Sequence, residues 1–296
     1  MFRLLMKILP LTETLGGKEL FLISSIGKSG STWVQRIADS HPEILCSGEG
    51  KFADMLKGVN SCFSIYNSSL NKTNRLIYGD DYCYNPLDEG YKVPVLQFLM
   101  ALCILNQKKP VTKQIKLIGD KDTSYVHNIP LWSNVILPEA RLVHVIRDIR
   151  DAFVSNAFHL KRQGSDLMEN REKYKGHLER MTTGWVRMIK ETREQFKHNK
   201  EMLHELRYED MQEKPESTVK GLFDFLKVDS SDKIVEKCIS ENAFSKLSGG
   251  RGKGEEDRSS FYRKGISGDW KNHLSEEDAA YITGNAGELM KELGYL

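Results

Sequence analysis

The sequence lacks both a long apolar run and a dominant sign of charge. No stretch of eighteen apolar residues occurs in its 296 residues, so we expect no membrane-spanning helix and no membrane partner. Lys and Arg number 43 against 41 Asp and Glu, a formal net charge of +2. That balance argues against a large basic face for nucleic acid, but a local anion site remains compatible with it.

Cysteine is scarce and scattered. The five cysteines are odd in number and form no CxxC pair or Cys/His cluster, so neither a disulfide framework nor a zinc site is indicated. Met1–Leu11 is apolar but broken by Lys7 and Pro10, with no small-residue cleavage site behind it. We therefore expect an N-terminal strand or a short packed segment rather than a secretory signal, and a cytoplasmic protein.

Short apolar runs alternate with longer amphipathic ones along the chain. Buried strands are predicted at 20–25, 115–119, 141–146 and 203–208, and helices near Thr32, before the last strand and after Pro215. Strands separated by helices predict an α/β fold, with a central parallel sheet flanked by helices in three layers. The simplest organisation is a single domain over 1–296, with an insertion at 57–92 and mobile segments at 161–176 and 249–262.

The most informative stretch, Ser24–Trp33, joins the first predicted strand to the first predicted helix. Glycine and serine let backbone N–H groups turn toward an anion, and the start of a helix adds partial positive charge. Lys28 supplies a cation in this loop, and hydroxyl donors come from Ser29, Ser31 and Thr32. The placement is P-loop-like, although Lys28 precedes Gly30 instead of following it as in GxxxxGK[ST]. The alternative is a small-residue turn without a ligand.

The segment Lys28–Trp33 resembles the loop by which sulfotransferases bind the 5′-phosphosulfate of 3′-phosphoadenylyl sulfate (PAPS). Three further segments resemble the same family in the same order: Arg147 with Ser155, Tyr208 within 207–211, and the RKGxxGDWK segment at 263–271. The resemblance implies that PAPS is the co-substrate and PAP the product. It implies a cofactor site formed by Lys28, Ser29, Gly30, Ser31, Thr32, Trp33, Arg147, Ser155, Tyr208, Arg263, Lys264 and Gly265. Trp33 would face the adenine, or else serve only as a core residue.

The KTH segment of cytosolic sulfotransferases, whose histidine is the general base, is absent. Instead 40–49 resembles the xHPxxxxxGE segment of Golgi-type and bacterial members, which implies that Glu49 is the base. Similarly, 119–123 resembles their KDP segment, and implies that Lys121 faces the transferred group. His127 is the rival base, and Glu49 could instead be a capping or surface carboxylate. His41 is expected to be structural.

These observations predict a PAPS-dependent sulfotransferase that acts on a hydroxyl of a small molecule or a carbohydrate, with Lys28, Lys121 and Glu49 catalytic. No metal is expected, since cations and backbone N–H groups neutralise the charge. The alternatives are an ATP-dependent P-loop kinase and a catalytically inactive nucleotide-binding scaffold. The oligomeric state is left open, because the cytosolic dimer motif is not kept. We expect 57–92 to cover the acceptor pocket with its aromatic residues Phe63, Tyr66, Tyr78, Tyr82, Tyr84 and Tyr91.

Overall fold

Five parallel strands form the centre of the computed structural model, which describes residues 15–79 and 84–296. They are β1 (Glu19–Ser24), β2 (Ile44–Gly48), β3 (Leu117–Lys121), β4 (Arg141–Ile146) and β5 (Leu203–Arg207). Their order across the sheet is β2-β3-β1-β4-β5, and every neighbouring pair is parallel. The predicted α/β fold with a central parallel sheet is confirmed. The expectations for Met1–Leu11 and Tyr82 lie outside the described residues.

All four predicted strands are present, and the sheet contains a fifth strand, β2, that was not predicted. β4 has the predicted bounds, β1 begins and ends one residue earlier than predicted, β5 ends one residue earlier, and β3 runs two residues later. β2 was not predicted because only Ile44, Leu45 and Cys46 are buried before Ser47 and Gly48 reach the solvent side. An apolar run of three residues at a sheet edge is too short to show a period.

Helices cover both faces of the sheet. Their bounds are α1 (Ser31–Ser40), α2 (Phe52–Thr73), α3 (Lys92–Leu105), α4 (Ile149–Arg162), α5 (Arg171–Gln195), α6 (Tyr208–Glu213), α7 (Pro215–Leu226), α8 (Asp232–Glu241), α9 (Phe244–Leu247) and α10 (Glu276–Glu292). Short helical turns occupy Asn74–Tyr78, Glu89–Tyr91, Tyr125–His127, Ile129–Leu131, Trp132–Ile136, Lys200–Met202 and Asp269–Asn272. Of the helices in the described ranges, none is long and apolar enough to cross a membrane.

Alternation along β1 explains the three layers. Phe21 and Ile23 point to one face, where α1, α7 and α8 pack, while Leu20 and Leu22 point to the face covered by α3 and α5. The apolar stripe predicted on the long helix is buried as expected, and it consists of Trp185, Met188, Ile189, Thr192 and Phe196. Within 57–92, expected to be an insertion, the described residues 57–79 and 84–92 are mostly helical and largely exposed.

Candidate active site

A cavity of about 540 Å³ opens at the carboxyl ends of β1, β3 and β4. Ligands of parallel sheets bind at this edge, because the loops that follow the strands converge there. The cavity brings together nearly all of the predicted site residues: Lys28, Gly30, Ser31, Thr32, Trp33, Glu49, Lys121, Arg147, Ser155, Tyr208, Arg263, Lys264 and Gly265. Ser29 is the exception, since it does not line the cavity and is fully buried.

The loop between β1 and α1 has the backbone of an anion cradle. Lys28 and Gly30 both adopt left-handed conformations, with φ of 72° and 88°, and α1 begins at Ser31 directly behind them. A Cβ on Gly30 would lie 2.4 Å from the Tyr208 ring, so this position requires glycine on two counts. The buried hydroxyl of Ser29 has no hydrogen-bond partner. An anion held by the loop would supply the partner that this hydroxyl lacks.

Lys28 is a cation in a cationic neighbourhood. Burial, followed by the charges of Arg162, Arg147 and Lys121, lowers the pKa of Lys28 to about 8. The Phe261 ring faces its ammonium, with Nζ 4.1 Å from the ring centroid. Because none of these neighbours supplies negative charge, an incoming anion would be strongly stabilised here.

Arg147 is held rigidly at the end of β4. The Trp185 indole donates to its carbonyl at 3.0 Å, and its guanidinium donates to the carbonyls of Lys28 (3.1 Å) and Ile266 (3.3 Å). The guanidinium also stacks on the Tyr208 ring at 4.3 Å. Its Nε is buried without a partner. The structure therefore fixes Arg147 against both the loop and the 263–266 segment, with one buried donor still unsatisfied.

Arg263 and Lys264 reach the cavity from the C-terminal segment, and Asp269 positions both. Its carboxylate accepts from Arg263 at 2.5 Å and from Lys264 at 2.7 Å, and Glu256 pairs with the other side of Arg263. Burial opposes ionisation of Asp269, but the bonds from Lys264 and Arg263 outweigh it and hold the pKa well below its ordinary value. His273 completes a group of potential metal ligands with Asp269 and Glu256, yet the two carboxylates are already engaged by cations.

One end of the cavity is aromatic. The Trp33 ring meets Tyr208 edge-on at 5.9 Å, and its indole N–H donates to the Asn242 carbonyl at 2.9 Å. Phe244 joins them, and a Cβ on Gly265 (φ 68°) would lie 2.4 Å from the Phe244 ring. Flat apolar faces of this kind suit a purine base. Phe244 was missed by the sequence analysis, because a single phenylalanine at the start of a four-residue helix carries no pattern.

Tyr208 and Gly265 are tied together by Gln212, a second residue that the sequence analysis missed. The Gln212 amide donates to the Tyr208 hydroxyl and to the Gly265 carbonyl, both at 2.9 Å. Its oxygen accepts from the Ser267 hydroxyl at 2.8 Å. The spacing of four residues from Tyr208 on α6 is the signal that could have found it.

Glu49 lies at the opposite end, between two lysines. Its carboxylate pairs with Lys121, whose side chain is only 5% exposed, and with Lys51 at 2.5 Å. Burial tends to raise the pKa of Glu49, but the bonds from Lys121 and Lys51 prevail and lower it. Glu49 is therefore an ionised, doubly paired carboxylate at the cavity wall, and Lys51 is a neighbour that the sequence analysis did not name.

The rival residues occupy different environments. His127 is exposed and does not line the cavity, whereas His159 on α4 does. His41 is buried, as expected of a structural residue, and bonds the carbonyl of Asp229 at 2.8 Å. Arg150, to which no role in the site is assigned, is 7% exposed and pairs with Asp148 at 2.6 Å.

Fold and cavity together define a P-loop-like protein, in which a strand, a glycine–serine loop and a helix form one wall of a nucleotide-sized pocket. The chain belongs to the sulfotransferase domain family, which matches residues 18–294. Canis lupus familiaris sulfotransferase 1B1 is 29% identical over 49% of this chain and 51% of its own length. Cytosolic sulfotransferase 17 of Arabidopsis thaliana is 26% identical over 63% of this chain and 61% of its own length. The chain thus spans about half to three fifths of these curated relatives.

Solved structures agree on the fold. A mouse sulfotransferase complexed with PAP superposes with a TM-score of 0.56 at 17% identity, covering 95% of this chain and 88% of that one. A retinol dehydratase, in complex with androsterone and the inactive cofactor PAP, gives 0.51 at 18% identity, covering 92% of this chain and 80% of that one. At these identities the likeness establishes a shared fold, and function has to be argued from the site.

Proposed function

We propose that the protein transfers a sulfuryl group from PAPS to an acceptor hydroxyl. The observation that carries the proposal is the pairing of two anion sites with one aromatic pocket in a single cavity. Lys28 lies in the loop after β1, Arg147 lies at the end of β4, and Trp33 and Tyr208 lie beside them. A nucleotide with phosphates on both the 5′ and 3′ positions matches that arrangement, whereas ATP has no group for Arg147.

The residues around Arg147 are suited to a 3′-phosphate. Arg263 and Lys264 add two cations on the segment to which Arg147 is bonded through the Ile266 carbonyl. Ser155 on α4 adds a hydroxyl. Asp269 already fixes the orientation of both cations, so little side-chain freedom remains to be lost on binding. In this proposal the loop 28–33 holds the 5′ end, where its N–H groups and the Ser29 hydroxyl would gain a partner.

The chemical step would use the other end of the cavity. PAPS supplies an activated sulfuryl group attached to its 5′-phosphate. Lys28 stabilises the negative charge that develops on the bridging oxygen, and Lys121 adds positive charge at the end of β3. Glu49 accepts the proton of the acceptor hydroxyl, which requires that an oxygen be released from Lys51 or Lys121.

The proposal names the acceptor by its chemical class. A hydroxyl of a small molecule or a carbohydrate is the proposed acceptor, which the family resemblance supports. The proposal keeps 57–92 as the segment that covers the acceptor, although none of its described residues lines the cavity itself. A single domain and a cytoplasmic location also remain proposals, which rest on the sequence.

Calorimetry tests the donor assignment. We expect PAP to bind the protein in EDTA far more tightly than 5′-AMP, because AMP lacks the group that Arg147 would hold. Arg147→Gln should remove most of that preference, at roughly 1.5–3 kcal/mol for a charged hydrogen bond. Tight binding of ATP with magnesium and weak binding of PAP would favour the kinase. Tight PAP binding without transfer to any acceptor would favour the inactive scaffold.

A further inference from the structure

One face of α4 continues the cavity wall beyond the proposed phosphate site. Ser155, His159 and Arg162 are spaced at i, i+4 and i+7, which places them on one side of the helix. Ser155 and His159 line the cavity, whereas Arg162 lies behind His159 and donates to its Nδ1 at 2.9 Å. Next to His159, the Phe261 ring lies 6.4 Å from the imidazole and also covers Lys28. The row therefore extends from the Ser155 hydroxyl to the neighbourhood of Lys28.

Hydrogen bonds on the side away from the cavity occupy the acceptor atoms of this wall, so that its hydrogen-bond donors face the cavity. A guanidinium can only donate, so the His159 Nδ1 accepts from Arg162, and the neutral imidazole carries its proton on Nε2. Burial, and then the charges of Lys28 and Arg162, lower the pKa of His159 and favour that neutral form. Asn156 beside it receives the His177 Nε2 on its oxygen at 2.7 Å, which leaves its amide N–H groups for the cavity. His159, Arg162 and Asn156 therefore offer hydrogen-bond donors and no free acceptor.

The cations here differ in whether a carboxylate neutralises them. Lys121 pairs with Glu49, and Asp269 pairs with both Arg263 and Lys264. Among the described residues, no carboxylate forms a salt bridge with Lys28, Arg147 or Arg162. Asp257 is the acidic group that influences Arg162, and the neighbouring Arg263 opposes it.

The proposed donor uses two of these three free cations. Its 3′-phosphate is assigned to Arg147 and its 5′ end to Lys28, so Arg162 is the one left over. Arg162 is nevertheless close to the reacting end, since it donates to His159, and the Phe261 ring beside His159 also covers Lys28. Its charge contributes to the lowered pKa of Lys28. Within the part of the chain that the structure describes, Arg162 is a cation without a carboxylate partner, and it lies beside the reaction centre together with the N–H donor of His159. Such an arrangement would stabilise a second bound anion.

We propose that Arg162 and His159 form a binding site for an anionic group, a carboxylate, sulfate or phosphate, on the acceptor. The proposal rests on the proposed function, because that function places the acceptor beside Lys28. It narrows the acceptor class from any hydroxyl compound to hydroxyl compounds that already carry a negative charge. The His159 Nε2–H supplies a directed hydrogen bond from the cavity wall, and the guanidinium behind the imidazole supplies the positive charge.

Binding to the PAP-loaded protein tests the site without relying on turnover. Calorimetry would compare para-hydroxybenzoate with its neutral methyl ester, and methyl glucuronide with methyl glucoside. We expect each acid to bind at least about tenfold more tightly than its neutral partner, as one charge-assisted hydrogen bond implies. Arg162→Gln should abolish the difference and Arg162→Lys should keep much of it, while His159→Gln, which retains a donor N–H, should weaken it only in part.

Lys161→Gln is the matched control, because it removes one positive charge from the adjacent position, where Lys161 pairs with Glu169 on the surface. It should leave all four affinities unchanged. Equal affinity for acid and neutral partner in both pairs, or failure of both acids to bind, would overturn the proposal.

A second comparison separates the two possible sources of the anion. If Arg162→Gln weakens PAPS but not PAP, and affects acids and neutral compounds alike, then Arg162 serves the donor's sulfuryl group and the acceptor proposal is wrong. Failure of the proposed function itself looks different. In that case wild-type protein binds no PAP, and the acceptor titrations cannot be begun on a loaded protein, which would overturn both together.

Discussion

Replacing Glu49 by Gln removes a proton acceptor while keeping the volume and one oxygen of the side chain. If Glu49 is the base, kcat should fall by roughly 10²–10⁴-fold. The substitution also takes the carboxylate away from Lys121, whose side chain is 5% exposed, against 43% for Glu49. Breaking a fully buried pair costs about 3–5 kcal/mol, and the exposure of Glu49 reduces that to about 1–2 kcal/mol of unfolding free energy.

The assay has three readouts: kcat with radiolabelled PAPS, the dissociation constant for PAP, and urea unfolding. We expect a large loss of kcat, PAP affinity within a few-fold of wild type, and the modest loss of stability. His127→Asn is the control, since His127 is exposed and does not line the cavity. Normal turnover by Glu49→Gln would refute the assignment, and an inactive His127→Asn would move the role of base to the histidine.

The lowered pKa of Glu49 also determines how the stability of the protein should change with pH. Because its hydrogen bonds to lysine lower that pKa from an ordinary value of 4.5, the carboxylate stays ionised throughout the neutral range. The stability that it contributes is present above about pH 4.5 and is lost as the pH falls through the folded-state pKa. We therefore expect wild-type unfolding free energy to fall more steeply below pH 4.5 than that of Glu49→Gln. Parallel curves for the two proteins would contradict this.

Three shorter predictions concern the donor site. Gly30→Ala should destabilise the fold by at least about 1–2 kcal/mol and abolish PAP binding, because the left-handed backbone disfavours a Cβ and this one would meet Tyr208 at 2.4 Å; urea unfolding and calorimetry measure both effects. Lys28 has a pKa of about 8, so PAP binding above pH 8 should take up a proton, visible as buffer-dependent binding heat and absent in Lys28→Met. Excess EDTA should leave turnover unchanged, whereas strict magnesium dependence would favour a kinase.

Much of the fold could be predicted because its signals are local. A buried strand, a glycine–serine loop and the start of a helix follow one another within residues 19–33. The anion site could therefore be recognised in fifteen residues of sequence. β2 could not be predicted, since an edge strand needs only a short apolar run and takes its register from β3. The burial of Arg150 could not be predicted for a related reason: Asp148 is close in the sequence, but the Tyr295 carbonyl and the Trp270 ring reach Arg150 only after the C-terminal region has packed against α4.

The site shows the same division between local motif and tertiary placement. Motifs located Lys28, Arg147 and Lys264, but not the acids that orient the cations, since Asp269 acts only once the 263–269 segment has folded back. His159 lies four residues after Ser155, and that spacing was a usable signal only with α4 already assigned to the cavity wall. The sequence analysis did not identify His159, because the charged residues Lys161 and Arg162 that follow it resemble an exposed helix end.

Transfer of label from radiolabelled PAPS tests the central claim most directly. Protein in EDTA would be incubated with donor and with a library of phenols, sugars and their acidic derivatives, and products would be separated from donor. The account predicts a labelled sulfate ester whose formation requires Lys28 and Arg147 and is competitively inhibited by PAP. No labelled product from any acceptor, or product formed equally well by Lys28→Met and Arg147→Gln, would contradict it.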